Sequence, residues 1–255
     1  MRIAICLSGQ PRTWKKCYPR WTELFAHQGE VDYFFHFWNY NTPPSFCLKF
    51  NNNQPFEDRV ITEEETQDLI DTLRPKKYLL DCKKEVGYWN CNIPIDKRFG
   101  PWCIQQYYSR YYVSLLKQQY ELEQDFKYDI VIWQRGDTYM MPGADLKLEK
   151  PEPNVVYTTH NTPLDKKSNV YRIGDIFYYS DSYTSDQLAL FYKFLSFVPT
   201  NWVTTTSTPP PEVAFYFYMC SIGLQNISLI GKDFKVMRDE ETLTLKGKLD
   251  GYETI

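Results

Sequence analysis

Two charged residues flank a glycine in the segment Arg135-Gly136-Asp137, which directly follows the apolar run Ile130-Val131-Ile132-Trp133. An adhesion tripeptide has to stand on an exposed loop tip, whereas this triplet ends a run that is typical of a buried strand. A carboxylate at such a strand end can bind Mg²⁺ or Mn²⁺ between the phosphates of a substrate, and an arginine beside it can neutralise phosphate charge directly. We therefore interpret Arg135 and Asp137 as candidate substrate-binding residues, and Asp137 also as a candidate metal ligand.

The glycine between the two charges favours this interpretation, because Gly136 would let the backbone approach a ligand closely. Gln134, the residue just before the triplet, joins the same candidate site. A structural salt bridge between Arg135 and Asp137 at the edge of a sheet is the alternative interpretation.

A second polar segment follows the apolar run at the start of the chain. Its candidate residues are Ser8, Gly9, Gln10, Pro11 and Arg12. Free backbone amides in a permissive turn, with an arginine one turn later, suit an anion such as a diphosphate. The segment lacks the lysine of a P-loop and the three glycines of a dinucleotide-binding fingerprint. A polar turn with a solvent-facing arginine is the alternative interpretation.

Other polar residues end apolar runs or lie in polar loops. Trp38 and Asn39 end the second apolar run, at a strand end that we expect beside the two segments above. His160 and Arg172 lie in a polar loop between two later strands, and we regard both as candidate substrate contacts. His36 lies inside an apolar strand, which predicts a core histidine whose hydrogen bonds are satisfied.

Two carboxylates are candidates for a general base. Asp175 begins a late strand, directly after the polar loop, and Glu212 begins a predicted helix. A general base takes the proton of an attacking hydroxyl group, so it has to lie beside the acceptor. A glutamate in a first helical turn is equally explained by the helix dipole.

Apolar runs and helix signals predict an α/β fold in a single domain. Strands are predicted at 2–8, 31–39, 76–80, 128–134, 154–159, 175–180 and 227–230. Helices are predicted between the first two strands, at 62–74 and 103–125, from Thr184, and from Pro211 to Gly223. Strands that first alternate with helices and then crowd together favour a mainly parallel sheet with an antiparallel second half. Ligands bind such sheets beyond the carboxyl ends of the strands, which places residues 8–12, 38–39 and 134–137 at one edge.

Local signals predict further details of these elements. The segments that begin at Thr62 and Thr184 match the capping-box pattern of a helix start. The apolar face of the helix 103–125 is predicted to hold Ile104, Tyr107, Tyr108, Tyr111, Leu115 and Leu122. The single glycosylation sequon, at Asn226, opens the last predicted strand, which we expect to be buried and to carry no glycan.

Composition excludes several classes of protein. The chain has 255 residues, 43% of them apolar, and a net charge of -3, which is ordinary for a globular protein and offers no basic surface to nucleic acid. No apolar run approaches the roughly 20 residues of a membrane span, and the run near the N-terminus is too short for a signal peptide. Seven cysteines without a Cys-x-x-Cys pair favour free thiols. We therefore expect no nucleic-acid partner, no membrane span and a cytoplasmic location.

Five segments, taken in order, resemble a family of glycosyltransferases found in bacteria, phages and large viruses, whose members are similar to the GT-A superfamily of nucleotide-sugar enzymes. The segments are IAICLSGQPRTW, VDYFFHFWN, FKYDIVIWQRGDTYM, IGDIFYYSDSYTSDQLALFY and PPEVAFYFYMCSIGL. The resemblance covers residues 1–232 with gaps. It implies a Rossmann-like, GT-A-like catalytic domain over 1–238 that binds a nucleotide sugar. Residues 239–255 are polar, and we interpret them as a C-terminal tail.

The resemblance also implies roles for the polar segments. In GT-A enzymes the loop after the first strand holds the nucleotide, a role that falls here on residues 8–12. An Asp-x-Asp motif at the end of a central strand binds a divalent metal and the diphosphate. Asp137 takes the place of the second aspartate, while Arg135 stands where the first would be. Mn²⁺ or Mg²⁺ is therefore the expected cofactor, although one carboxylate is a poor site for a cation that needs several oxygen ligands.

The activity that the resemblance implies is transfer of a sugar from a nucleoside diphosphate sugar to a glycan or another hydroxyl acceptor. We expect Asp175 to be the base of an inverting transfer. A nucleotidyltransferase-type enzyme is one alternative, but it would carry a glycine-rich loop with a catalytic lysine, and the only lysines of SGQPRTWKK are Lys15 and Lys16. A carbohydrate-binding or assembly module without turnover is the other alternative.

Overall fold

A seven-stranded sheet forms the centre of the protein, whose structure is a computed structural model. The structure describes residues 1–41, 59–82, 100–140, 146–159, 161–163, 171–173, 176–195, 211–228 and 234–236. The strands are β1 Arg2–Gly9, β2 Glu30–Trp38, β3 Tyr40–Asn41, β4 Arg59–Val60, β5 Lys77–Asp81, β6 Ile130–Arg135, β7 Thr138–Met140, β8 Val155–Thr158, β9 Asn161–Pro163, β10 Tyr171–Ile173, β11 Phe177–Ser180, β12 Gln225–Ser228 and β13 Phe234–Val236. The helices are α1 Trp14–Phe25, α2 Glu63–Leu73, α3 Gly100–Gln124, α4 Ser182–Ala189, α5 Phe191–Phe194 and α6 Pro211–Ser221.

The central sheet has the strand order β12-β8-β11-β6-β1-β2-β5. β1 runs parallel to both β2 and β6, β2 runs parallel to β5, and β12 runs parallel to β8. β11 lies antiparallel between β6 and β8, so it alone in this sheet reverses the direction. The predicted mainly parallel sheet is therefore confirmed. The expected antiparallel second half is confirmed for the pairs of β11 with β6 and β8, but it does not extend to the edge, because β12 is parallel to β8.

Helices cover both faces of the sheet, which explains why its central strands are almost continuously apolar. On β1 the side chains of Ile3 and Ile5 pack with α1 and α2, whereas those of Ala4 and Cys6 face the cluster that contains α3, α4 and α6. The predicted single α/β domain with a helix-flanked sheet is confirmed. The short strands form separate pairs, namely β3 with β4, β7 with β13, and β9 with β10.

Local signals placed several helix ends correctly. Thr62 is the N-cap of α2, with its side chain accepting from Glu65 N at 3.1 Å while Glu65 Oε2 accepts from Thr62 N at 2.9 Å. Pro211 begins α6, and Gly223 adopts a φ of +76° just past its end. Such a left-handed conformation favours glycine because it lacks a Cβ.

The predicted apolar face of α3 is wrong in its second half. Leu122 is 84% exposed and Leu115 is 37% exposed. The side chains of Lys117 and Glu121 are 0% exposed in their place. Hydropathy could not predict this rotation of the helix, because it depends on partners that lie far away in the chain.

Those partners form a buried polar network between α3 and α4. Lys117 Nζ donates to Glu121 Oε2 at 3.1 Å, to Ser182 Oγ at 2.7 Å and to Asp186 Oδ1 at 2.7 Å. Glu121 also accepts from the backbone N of Tyr128 at 3.0 Å. Both buried charges are therefore paired and hydrogen-bonded, which burial requires.

The expected start of α4 at Thr184 is also wrong. The N-cap is Asp181, whose carboxylate accepts from Thr184 N at 3.0 Å and from Thr184 Oγ1 at 2.6 Å. A carboxylate is favoured at this position because it satisfies free amides and faces the positive end of the helix dipole.

The last strand of the sheet is not buried as expected. β12 lies at the sheet edge, and Ile227 is 40% exposed. Asn226, the sequon residue, is half-buried, and its Oδ1 accepts from Thr158 Oγ1 at 3.1 Å.

Some expectations concern residues that the structure does not describe, among them the tail 239–255 and most of the loop 40–61. Where their side chains are described, the cysteines have free thiols: Cys6, Cys17, Cys82 and Cys220. Within the described ranges, no helix combines the length and the apolar character that crossing a membrane requires.

The buried network yields a first prediction. Lys117→Met should lower the free energy of unfolding by about 3 to 5 kcal/mol, because it removes the one buried cation that pairs with both Glu121 and Asp186 and leaves Glu121 only the exposed Lys127, at 2.7 Å. Urea denaturation measures this change. The control is Lys150→Met at an exposed position, which should change the free energy of unfolding by at most about 0.5 kcal/mol. Equal effects of the two substitutions would contradict the importance of the network.

Candidate functional site

Two arginines hold the side chain of Asp137. Arg135 Nε donates to Asp137 Oδ1 at 2.7 Å, and Arg135 Nη2 donates to Oδ2 at 2.8 Å. Arg12 Nη1 donates to the same Oδ2 at 2.7 Å. The Asp137 side chain is 1% exposed, whereas those of Arg12 and Arg135 are 20% and 17% exposed. The two charged segments found in the sequence thus meet in one cluster, the arginine clamp, which consists of Arg12, Arg135 and Asp137.

The clamp keeps Asp137 ionised. Burial alone would raise the pKa of Asp137, but the charges of Arg135 and Arg12 and their hydrogen bonds outweigh burial and lower the pKa to about 2. Two positive groups and one negative group leave the cluster with a net charge of +1. The partly exposed groups of the clamp are therefore its two guanidinium groups, whereas its carboxylate is buried.

The turn after β1 aims Arg12 at Asp137. Gly9 adopts a φ of +101°, and Arg12 itself adopts a φ of +39°, which is a left-handed conformation that costs about 1 to 2 kcal/mol in a residue with a Cβ. Two bonds hold Arg12 in this conformation: its backbone N donates to Asn41 Oδ1 at 2.8 Å and its Nε donates to Gln10 Oε1 at 2.8 Å. Pro11 O accepts from Trp14 N at 3.0 Å and so connects the turn to α1.

The end of β6 is fixed by a second set of bonds. Arg135 N donates to Thr138 Oγ1 at 3.2 Å, and that hydroxyl donates to Ile176 O at 3.1 Å. Trp21 Nε1 on α1 donates to Thr138 O at 2.6 Å. The backbone that carries Arg135 and Asp137 is thus bonded to both α1 and the segment before β11.

The two glycines of the site have different roles. A Cβ at Gly136 would lie 3.0 Å from Gln10 O and 3.1 Å from two ring carbons of Phe37. The expected approach of a ligand to Gly136 is therefore wrong, because neighbouring protein atoms fill that space. Within the described ranges, no atom lies within 4 Å of the position that a Cβ at Gly9 would take, so the backbone is more open at Gly9 than at Gly136.

A serine on α3 connects β1 to β2 beside the clamp. Ser109 Oγ accepts from Gly9 N at 2.8 Å, donates to His36 O at 2.7 Å and lies 2.9 Å from His36 Nδ1. His36 Nε2 lies 2.9 Å from Asp81 Oδ2. The prediction of a buried, satisfied histidine is confirmed. Ser109 was missed, because nothing in an apolar helix pattern marks one serine as a partner of two strands.

Asp81 ends β5 at the same edge of the sheet. Its Oδ2 also accepts from Tyr108 OH at 3.1 Å, and its side chain is 18% exposed. The pKa of Asp81 is lowered, chiefly by the hydrogen bond from His36. Tyr108 stacks on Trp38, with ring centroids 5.5 Å apart and an interplanar angle of 26°. The rule that ligands bind at carboxyl strand ends would have found Asp81, had it been applied to the third strand.

The remaining sequence candidates divide into three groups. Ser8 is buried and lies opposite Arg135 in the register of β1 with β6. Asn39 follows Trp38, and its backbone N donates to Asp81 O at 2.9 Å. Arg172 lies on β10, and Glu212 lies in the first turn of α6. His160 and Asp175 lie outside the described residues.

Gln134 is a special case among the candidates. It lies on β6 between Leu7 and Phe177, and its side chain is buried. Neither its Nε2 nor its Oε1 has a hydrogen-bond partner in the part of the chain that is described. A buried amide in this state lowers the stability of the fold.

The clamp does not fit a divalent cation. Mn²⁺ and Mg²⁺ need several oxygen ligands, but both oxygens of Asp137 accept hydrogen bonds from guanidinium groups. Among the described residues, no group of three or more His, Cys, Asp and Glu side chains could hold a metal ion. The geometry gives Asp137 the ion-pair role that was the alternative interpretation of the sequence.

Comparisons with known proteins add only a general likeness. No protein-family model and no curated protein sequence matches the chain. A CTP:phosphocholine cytidylyltransferase from Streptococcus pneumoniae (LicC) is similar at 10% identity and a TM-score of 0.45, over 96% of this chain and 97% of that one. A glycosyltransferase involved in the glycosylation of the major capsid of PBCV-1 is similar at 12% identity and a TM-score of 0.38, over 90% and 82%. Values this low carry no argument about activity.

The buried ion pairs predict how stability depends on pH. Because the pKa of Asp137 is about 2 in the folded protein and is lowered from 3.8, the carboxylate contributes stability that is complete above the higher value. This contribution, of about 2 kcal/mol, should be lost as the pH falls through the lower value. Asp137→Asn should remove it at all pH values.

Urea denaturation at several pH values between neutrality and acid tests this prediction. The control is Asp71→Asn on the exposed face of α2, which should keep the wild-type pH dependence. Wild-type stability of Asp137→Asn at neutral pH would show that the clamp does not contribute to folding.

Proposed function

We propose that the protein is a glycosyltransferase that uses a nucleoside diphosphate sugar as donor and a glycan or another hydroxyl compound as acceptor. The observation that carries this proposal is the arginine clamp, a partly exposed positive cluster at the carboxyl edge of the sheet, beside the open backbone of Gly9. The family resemblance of the sequence supports the same reading. Ligands of open α/β sheets bind at this edge.

The diphosphate would lie at the clamp. Guanidinium groups bind phosphate oxygens with several donors in a fixed plane, and the partly exposed groups of Arg12 and Arg135 stand at the edge. The first turn of α1 contains no acidic residue, so the positive end of its dipole adds to this field. The Gly9 turn would let a phosphate approach the backbone.

The nucleoside would extend from the clamp along the sheet edge towards β5. Adjacent strands lie about 4.8 Å apart, so the three steps from β6 through β1 and β2 to β5 span about 14 Å. At the far end, Asp81 offers a carboxylate for sugar hydroxyls or base N–H groups. Trp38 is buried beside it, and the half-buried ring of Tyr108, which stacks on Trp38, would be the surface that meets a flat base.

The chemistry that we propose is a displacement at the anomeric carbon. The acceptor oxygen forms a bond to that carbon, the bond from the carbon to the diphosphate oxygen breaks, and the nucleoside diphosphate leaves with the electron pair. Arg12 and Arg135 would stabilise the charge that develops on the leaving group. In an inverting transfer a carboxylate takes the acceptor proton, a role that we assign to Asp175, with Glu212 as the second candidate.

Donor binding is the most direct test of this function. Calorimetric titration with UDP, GDP, CDP and TDP and their sugar conjugates should show binding of at least one nucleotide. Arg12→Gln should weaken that binding by about 1.5 to 3 kcal/mol, which is typical of a hydrogen bond to a charged group. The matched control is Arg74→Gln, at the other end of the sheet, which should bind as the wild type does.

The outcome that contradicts the proposal is equally clear. Absence of binding of every nucleotide by folded wild-type protein would exclude a nucleotide-sugar enzyme at this edge. The nucleotidyltransferase alternative would instead be assigned if the protein binds a nucleoside triphosphate and releases pyrophosphate when a sugar phosphate is added. Binding of donors without turnover on any acceptor would favour the module without activity.

The general base gives a separate prediction. Asp175→Asn should retain donor affinity and lose about 10² to 10⁴ in transfer rate, because it removes the proton acceptor and leaves the diphosphate contacts in place. Asp125→Asn, on the exposed loop after α3, is the matched control and should keep the wild-type rate. A near wild-type rate for Asp175→Asn would pass the role to Glu212, or to a donor phosphate in a retaining mechanism.

A further inference from the structure

One turn of α3 contacts both ends of the proposed donor site. Ser109 Oγ accepts from Gly9 N at 2.8 Å, in the turn that carries Arg12. The residue before it, Tyr108, donates from its hydroxyl group to Asp81 Oδ2 at 3.1 Å. Gly9 ends β1 and Asp81 ends β5, and β2 lies between these strands, so the two strand ends are about 10 Å apart. α3 therefore bridges two strand ends that are not neighbours in the sheet.

Ser109 is also connected to Asp81 through a histidine. Its hydroxyl group donates to His36 O at 2.7 Å and lies 2.9 Å from His36 Nδ1, while His36 Nε2 lies 2.9 Å from Asp81 Oδ2. Ser109 and His36 are 0% exposed, so neither side chain is accessible to a ligand. Ser109 can therefore affect a ligand only through the groups that it holds, which are the Gly9 turn and the Asp81 carboxylate.

The arginine clamp is held together by bonds that do not involve Ser109. Both arginines bind Asp137, and the backbone N of Arg12 donates to Asn41 Oδ1 at 2.8 Å. Loss of the Ser109 hydroxyl group should therefore leave the clamp assembled. It should change the position of the clamp relative to Asp81, because the shared bond between their supports is gone.

We propose that Ser109 is a positioning residue that sets the distance between the diphosphate end and the nucleoside end of the donor site. This inference rests on the proposed function. A nucleoside diphosphate that spans both ends gains affinity because its second contact forms within the same complex, and this gain requires that the spacing of the two ends match the length of the ligand. A ligand that occupies one end does not depend on that spacing.

Two buried serines of α3 allow a matched comparison. Ser114 is also 0% exposed, but its Oγ donates to Asp186 Oδ1 on α4, at 3.3 Å. Ser109→Ala and Ser114→Ala each remove one buried hydroxyl group from the same helix. The wild type and both variants are titrated calorimetrically with UDP, GDP, CDP and TDP. For the nucleotide that binds, Ser109→Ala should weaken the affinity about tenfold or more, whereas Ser114→Ala should keep the wild-type affinity.

A shorter ligand distinguishes positioning from a general loss of structure. Inorganic pyrophosphate can occupy the clamp without reaching Asp81, so its affinity for Ser109→Ala should stay within about threefold of the wild-type value. Pyrophosphate affinity that falls as far as nucleotide affinity would assign Ser109 a structural role and overturn the inference. Pyrophosphate that does not bind the wild type would contradict a diphosphate site at the clamp, and the proposed function would fail together with the inference.

The remaining outcomes separate the inference from the proposed function. If no nucleotide binds the wild type, both fail. If a nucleotide binds the wild type and the two serine variants bind it equally well, only the inference fails. Circular dichroism checks that each variant is folded before titration. If Ser109→Ala does not fold, Ser109→Cys replaces it with the same expected loss of affinity, because a thiol is a weak donor and a weak acceptor.

Discussion

A single buried carboxylate organises the functional edge of this protein. Asp137 lies at the end of a central strand, where it has no access to bulk water, and its charge is stable there only because two guanidinium groups reach it. The carboxylate therefore determines where the turn after β1 and the end of β6 lie relative to each other. Arg12 makes this contact from an unfavourable, left-handed backbone conformation, so the contact has to offset the cost of that conformation.

The bonds around the clamp extend this order across four strands. Ser109 holds the β1 turn against β2, and His36 passes the connection on to Asp81 at the end of β5. α1 is connected to the segment after β6 by the hydrogen bond that the Trp21 indole donates to Thr138 O. The edge is thus fixed before any ligand arrives, which limits the entropy lost on binding.

Local sequence patterns predicted what short-range physics decides. The capping box at Thr62 and the left-handed Gly223 each depend on a few adjacent residues, and both were predicted correctly. The inward face of α3 was not, because Lys117 is buried only when Asp186, far along the chain, pairs with it. Of the site, the meeting of residues 8–12 with 134–137 followed from strand order. The closure of Asp137 by both arginines did not, because side-chain direction beyond a strand end depends on tertiary packing.

The close packing of Gly136 against the ring of Phe37 has a consequence for how the sequence of this site can change. A Cβ at position 136 would lie 3.0 Å from Gln10 O and 3.1 Å from the ring of Phe37 on β2, so the ring would have to shift by a few tenths of an ångström, and the choice of residue at 136 is coupled to the one at 37. Relatives that share this edge should show covariation, with a larger residue at the first position accompanied by a smaller one at the second. The absence of a side chain at position 136 therefore reflects the close packing of neighbouring strands, and that packing also places the charged residues on either side of the glycine.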